Sequence, residues 1–205
     1  RSLSSRDLDK QKVMIVNGQE IGWVTDGGQW DGNAYLLFSP VGHDYLFVTE
    51  TNRVQNAGQT HSSRMVSFNG RQKWVYSEVD RPRFTRDGRH WGFLATKDRL
   101  GDAPVLVVDG QETPLNLAAD ERLASHAPLP NLRLGRDARH TFYLTSRKRG
   151  QSMWAWWKGE RGKSYTRIQN PTLSQDGTRM AYTAINNEVR QLVVDGDEKP
   201  WGQPT

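Results

Sequence analysis

Two turn signals alternate along this chain, and their alternation restricts it to a repeat of antiparallel hairpins. The first is a β-rich run that ends in Asn-Gly or Asp-Gly. It occurs at Val13-Met14-Ile15-Val16-Asn17-Gly18, at Met65-Val66-Ser67-Phe68-Asn69-Gly70, at Val105-Leu106-Val107-Val108-Asp109-Gly110 and at Leu192-Val193-Val194-Asp195-Gly196. A looser copy is Met153-Trp154-Ala155-Trp156-Trp157-Lys158-Gly159. Asn, Asp and Gly tolerate positive φ, which a two-residue hairpin loop demands, so Asx-Gly between apolar runs predicts a tight hairpin.

The second signal is a Phe/Leu-Ser/Thr-x-Asp-Gly turn that leads into an aromatic strand. The clear copies are Phe84-Thr85-Arg86-Asp87-Gly88-Arg89-His90-Trp91-Gly92-Phe93-Leu94 and Leu173-Ser174-Gln175-Asp176-Gly177-Thr178-Arg179-Met180-Ala181-Tyr182. Variants run from Phe38 to Phe47, with Val41-Gly42, and from Leu134 to Tyr143, where Ala138 replaces glycine. Pro82, Pro130 and Pro171 precede the turn at the start of its strand, where a missing N–H does least damage. Successive turns of this kind lie about 40 to 50 residues apart, the period of a four-stranded propeller blade. Helical periodicity is confined to residues 115–125, where a short helix within a loop is expected.

The segments 84–94 and 173–182 resemble the F-S-P-D-G-x-x-x-A-Y repeat of TolB-like, WD40-like β-propellers. The resemblance spans nearly the whole chain and speaks to fold rather than activity, because propellers host many functions. It implies an all-β propeller of about four to five four-stranded blades, complete in itself, a segment of a larger propeller, or completed by a partner. In that family the second turn joins strands A and B of a blade, and the first joins C and D. On this register residues 1–11 are an N-terminal extension and 12–25 form a half blade. Blades follow at about 35–79, 80–118, 129–169 and 170–205. A half blade leaves an unpaired edge, and such edges invite association.

Composition narrows the classes further. With 35% hydrophobic and 25% charged residues, the chain is too polar for a helical membrane protein and too aromatic for a disordered one. No apolar run approaches the roughly 20 residues of a membrane helix. No signal peptide is visible, and the chain opens on Arg1 rather than Met, as a processed product would. There is no cysteine, which excludes disulfides and thiolate chemistry. The net charge of +5 draws anionic partners weakly. The family resemblance implies a bacterial periplasmic or secreted setting.

In a meander the A–B and C–D turns share one end of the strands, and the B–C and D–A connections share the other. The first group is short and regular. The second is long and irregular, at 26–34, 51–63, 97–103, 113–129 and 146–151, and long loops on a rigid scaffold are the expected binding face. The candidate binding residues are therefore Trp30 and Asp31, Arg53 and His61, Arg99, His126, and the run Arg147, Lys148 and Arg149. Trp30 sits in a Gly-rich loop with little core to enter. The other tryptophans, Trp154, Trp156 and Trp157 among them, are expected between blades.

No catalytic motif is present: there is no Gly-x-Ser-x-Gly elbow, P-loop or Gly-x-Gly-x-x-Gly. The five histidines lack metal-ligand spacing, and His90 and His140 hold equivalent repeat positions that point to structure. The expectation is a non-catalytic module without metal or cofactor. It binds a protein, or another segment of its own polypeptide, and homo-oligomers through the blade edge are one form of this. Two other readings stand beside it. One is an accessory propeller of a larger hydrolase, as the resemblance implies. The other is a lectin-like propeller for anionic glycans. Nothing in the sequence points to nucleic acid.

Overall fold

The computed structural model describes residues 3–8, 11–16, 18–25, 35–56, 59–97, 104–124, 132–147 and 152–200. Its regularity begins at the turns. Asn69, Asp109, Lys158 and Asp195 adopt φ of 51°, 49°, 53° and 53°, and the glycine after each is also positive. Two consecutive positive φ values define the type I′ loop, whose twist matches that of the flanking strands. In the other turn class only one residue is left-handed: Gly42, Gly88, Ala138 or Gly177. Ala138 holds φ 55° despite its Cβ, at a cost of about 1 kcal/mol. Its N–H is secured by the Gly135 carbonyl at 3.0 Å.

These hairpins assemble into five antiparallel sheets in chain order. The first has β1 (Leu3–Leu8), β2 (Gln11–Val16) and β3 (Gln19–Thr25). The second has β4 (Tyr35–Phe38), β5 (Tyr45–Asn56), β6 (Gln59–Phe68) and β7 (Gln72–Tyr76). The third has β8 (Glu78–Val79) and β9 (Arg83–Phe84), both on β10 (Trp91–Thr96), then β11 (Pro104–Val108) and β12 (Gln111–Pro114). The fourth repeats this with β13 (Glu121–Leu123), β14 (Arg133–Leu134), β15 (Thr141–Arg147), β16 (Met153–Trp157) and β17 (Glu160–Tyr165). The fifth has β18 (Arg167–Leu173), β19 (Met180–Asn186), β20 (Val189–Val194) and β21 (Asp197–Pro200). No helix occurs among the described residues.

Each sheet packs on the next in sequence. Alternation along a strand sends successive side chains to opposite neighbours. Phe93 joins Leu46, Val48, Val66 and Tyr76 of the second sheet, while Leu94 joins Tyr143 of the fourth. Phe142 and Leu144 join Ile168, Met180 and Tyr182 of the fifth. The B strands β10 and β15 therefore lie between two neighbouring sheets, with β10 buried at every position. The outer D strands β12 and β21 are exposed at every position. Meandering sheets of this kind, packed face to face, are propeller blades. The chain is all-β and built as a β-propeller.

Four details depart from the sequence reading. The stretch read as an N-terminal extension contains β1, which pairs with β2 from Leu3↔Val16 to Leu8↔Gln11. The first sheet thus has B, C and D strands rather than a bare hairpin. Residues 51–63 are not a loop. β5 and β6 stay paired as far as Asn56↔Gln59, with a bulge between Thr51 and Val54. Residues 115–125 hold no described helix. Glu121–Leu123 instead pairs with β15, so the fourth sheet starts ahead of residue 129. Finally, Pro171 lies inside β18 at a bulge between Gln169 and Thr172, where its missing N–H costs no ladder bond.

Candidate functional site

At the A–B and C–D end, the turn residues are consumed by one another. In the second, third and fifth sheets the first residue of the B strand donates its N–H to the side chain of a C–D turn. Tyr45 N–H reaches Asn69 Oδ1 at 2.9 Å, Trp91 N–H reaches Asp109 Oδ1 at 3.0 Å, and Met180 N–H reaches Asp195 Oδ1 at 2.8 Å. The residue just before each of these three B strands completes the clamp: Asp44 with Asn69, His90 with Asp109 and Arg179 with Asp195. In the fourth sheet the turn residue is Lys158, which offers no carboxylate, so His140 bonds Asp137 in its own turn instead.

The A–B turns carry a second network. Thr85 Oγ1 donates to Asp87 at 2.8 Å, and Ser174 Oγ donates to Asp176 at 2.5 Å. The Ser174 hydroxyl and then the Thr178 N–H hold the Asp176 carboxyl down to about 2. Asp87 is lowered in the same way, chiefly by Thr85. Neighbouring turns also touch. Arg136 Nε bonds Asp87 at 3.2 Å, and a Cβ placed on Gly177 would lie 2.3 Å from Gly135 Cα. This end of the molecule is closed by its own side chains.

The described groups towards the other end are different in kind. The Glu121 side chain is 1% exposed and lies under three donors. These are the Thr145 hydroxyl, Trp156 Nε1 at 3.0 Å and Arg161 Nη1 at 3.1 Å. Arg161 also stands 5.5 Å over the Trp154 ring. Each donor comes from a different strand, so one carboxylate ties β13, β15, β16 and β17 together. Burial and the nearby Glu121 charge push the Tyr143 phenol well above its usual range.

Between blades, tyrosine–glutamate pairs recur. Tyr76 donates to Glu112 at 2.8 Å and Tyr165 to Glu198 at 2.8 Å. Lys97 pairs with Glu112, and Lys163 lies 3.2 Å from Glu198. Both carboxylates are lowered, Glu112 chiefly by Lys97 and Glu198 chiefly by Tyr165.

Of the candidate binding residues, Arg147 is placed in full. It ends β15, half exposed, with its Nε 2.8 Å from Asp120. Its charge is thus already matched by a carboxylate. Arg53 falls at the β5 bulge, and His61 faces Val54 across the hairpin, so both sit on strands. Their side chains lie outside the described residues, as do Trp30, Asp31, Arg99, His126, Lys148 and Arg149 altogether. Among the described residues no three His, Asp or Glu side chains converge as a metal site would require. Sequence reading passes over Glu121 and Arg161 because no spacing links them. The register of four strands brings them together.

No family model matches this chain, and no curated protein does. Solved structures do resemble it. The β-propeller domain of the trilobed protease of Pyrococcus furiosus is 13% identical, with 83% of this chain and 58% of that one covered and a TM-score of 0.47. The acylaminoacyl peptidase of Pyrococcus horikoshii is 11% identical over 84% of this chain and 33% of its own, with a TM-score of 0.46. TolB from Acinetobacter baumannii is 13% identical over 90% and 45%, with a TM-score of 0.38. The chain spans from a third to under two thirds of the length of these proteins.

Proposed function

We propose that this chain is a non-catalytic propeller module that holds a protein partner, or another segment of its own polypeptide, at the open edge of its first sheet. The observation that carries the reading is the composition of that sheet. In the other four sheets a first strand pairs with the B strand: β4 with β5, β8 and β9 with β10, β13 and β14 with β15, and β18 with β19. In the first sheet β1 holds the B position, and among the described residues no strand covers its other side. An edge of six residues presents alternate N–H and C=O groups, which is the substrate of strand addition. The incoming strand would run antiparallel to β1 and take the place that β4 has on β5.

Hydrogen exchange tests this. The probe is a synthetic peptide with the sequence of residues 33–44, which carries an A strand and its turn. Peptide binding should slow exchange within Leu3–Leu8, whereas a scrambled peptide should not. Protection of the same amides in a dimer of the chain would assign the edge to a second copy and also support the reading. Exchange in Leu3–Leu8 that neither peptide nor concentration changes would overturn it. So would hydrolysis of peptide substrates by the purified chain that a single substitution abolishes.

A further inference from the structure

Arg133 lies on the inner strand β14, and among the described residues its guanidinium has no anionic partner. Its Nε is shielded from solvent and makes no hydrogen bond. Through its register Arg133 faces Phe142, and Phe142 faces Trp157. The Arg133 side chain is therefore on the face that Phe142 packs against the fifth sheet. The strand opposite is β18, and its sequence, RIQNPTL, contains no carboxylate. Asp120, Glu121 and Asp137 of the fourth sheet region are engaged by Arg147, Arg161 and His140. A second shielded donor without an acceptor, Trp157 Nε1, occupies the same cross-strand row.

A partly buried cation with no counter-ion is costly, and a buried donor without an acceptor adds to the cost. Two shielded donors on this face, Arg133 Nε and Trp157 Nε1, thus lack an acceptor. Arg83 stands on β9 at the same position relative to its turn, paired with Gly92 as Arg133 is with Phe142. β9 and β14 are in contact. Two arginines thus stand at the same level on adjacent inner strands of a chain with net charge +5.

We propose that Arg133 is the principal donor of an oxyanion site at the inner strands between the fourth and fifth sheets. The ligand is a carboxylate or phosphate group, whose paired oxygens match the planar fork of a guanidinium. The site is independent of the strand edge, so either can fail without the other.

Inorganic phosphate and acetate are the probes, titrated against chloride at constant ionic strength. The readouts are thermal unfolding and the indole N–H resonance of Trp157. For the unaltered chain, Tm should rise saturably with one or both probes, and the Trp157 resonance should move along the same curve. A response to acetate assigns carboxylates as ligands; a response to phosphate alone narrows the ligand to phosphate. Arg133→Met should abolish both responses yet be no less stable without oxyanion, because an uncompensated cation has been replaced by an apolar chain. Arg133→Lys keeps the charge but not the fork, and should weaken binding about tenfold. Arg147→Gln removes an equal charge at the other end of the strand and should bind normally. A flat titration would overturn the proposal. So would an unchanged response in Arg133→Met, a lost response in Arg147→Gln, or an Arg133→Lys as tight as the parent.

Discussion

Asn69 does with a neutral amide what Asp109 and Asp195 do with a carboxylate. In all three, one oxygen takes the first N–H of the B strand. The second atom differs with its partner. Asp109 and Asp195 meet His90 and Arg179, whereas Asn69 donates Nδ2 to Asp44 at 2.8 Å. Asn69→Asp should therefore destabilise the chain, because two carboxylates would share that contact. Adding Asp44→Arg should restore stability by rebuilding the Arg179–Asp195 arrangement. The coupling read by a double-mutant cycle in urea should be about 0.5–1 kcal/mol, as for other exposed pairs. One glycine from each turn class gives a further outcome. Gly177→Ala sets a Cβ against Gly135 at φ 76° and should cost about 2–3 kcal/mol. Gly196→Ala meets open space at φ 94° and should cost about 1 kcal/mol in the same assay. Asp176 binds its proton only near pH 2 when folded, against an ordinary value of 3.8. Its contribution is complete above about pH 4 and fades as pH falls towards 2. Asp176→Asn should flatten the acid limb of the stability–pH curve between those values.

At the scale of strands, the fourth sheet depends on one buried acid. Glu121→Gln leaves Arg161 facing an amide and should cost about 1–2 kcal/mol, a figure reduced because Arg161 is 45% exposed. Glu121→Gln combined with Arg161→Met should recover part of that loss, measured by equilibrium unfolding. Nothing in the sequence around Glu121 announces this role. The residue stands in a segment whose apolar spacing suggests a helix, and only pairing with β15 turns its side chain under Trp156. The hairpin turns were legible for the opposite reason: positive φ is a local demand, answered locally by Asn, Asp and Gly. Gly18, Gly70, Gly110, Gly159 and Gly196 all meet it. The inner strands were harder to read. The third sheet splits its first strand in two, with Pro82 in the interruption, and in the fourth both Glu121–Leu123 and Arg133–Leu134 pair with β15. Such breaks erase the alternation on which strand prediction rests. The extent of the β5–β6 hairpin was hidden too, because its polar far half reads as a loop. Arg133 was invisible as a candidate: an arginine between two leucines reads as the exposed side of a strand.

Across the whole molecule, sheets contact their neighbours in chain order, so stability is a sum of blades and blade interfaces. Two of those interfaces are chemically distinct. The second and third sheets share an aromatic stack in which Trp91 lies 5.2 Å from Phe68 and 6.0 Å from Phe93. The fourth and fifth meet through Phe142 and Tyr182, 6.0 Å apart, with Met180, Ile168 and Ala184 around them. Phe142 is fully buried, and truncation to Ala should cost about 3–5 kcal/mol. In a molecule with one all-embracing core, that loss would raise hydrogen exchange everywhere. In a linear stack it acts on the interface it belongs to. Phe142→Ala should therefore speed exchange in β15, β16, β18 and β19 while β10 and β11 keep their protection. Phe93→Ala should show the reverse, loosening β5, β6, β10 and β11 and leaving β19 and β20 slow. Uniform acceleration in both variants would mean that the blades unfold as one unit, and that the interfaces are coupled more strongly than their separate clusters imply.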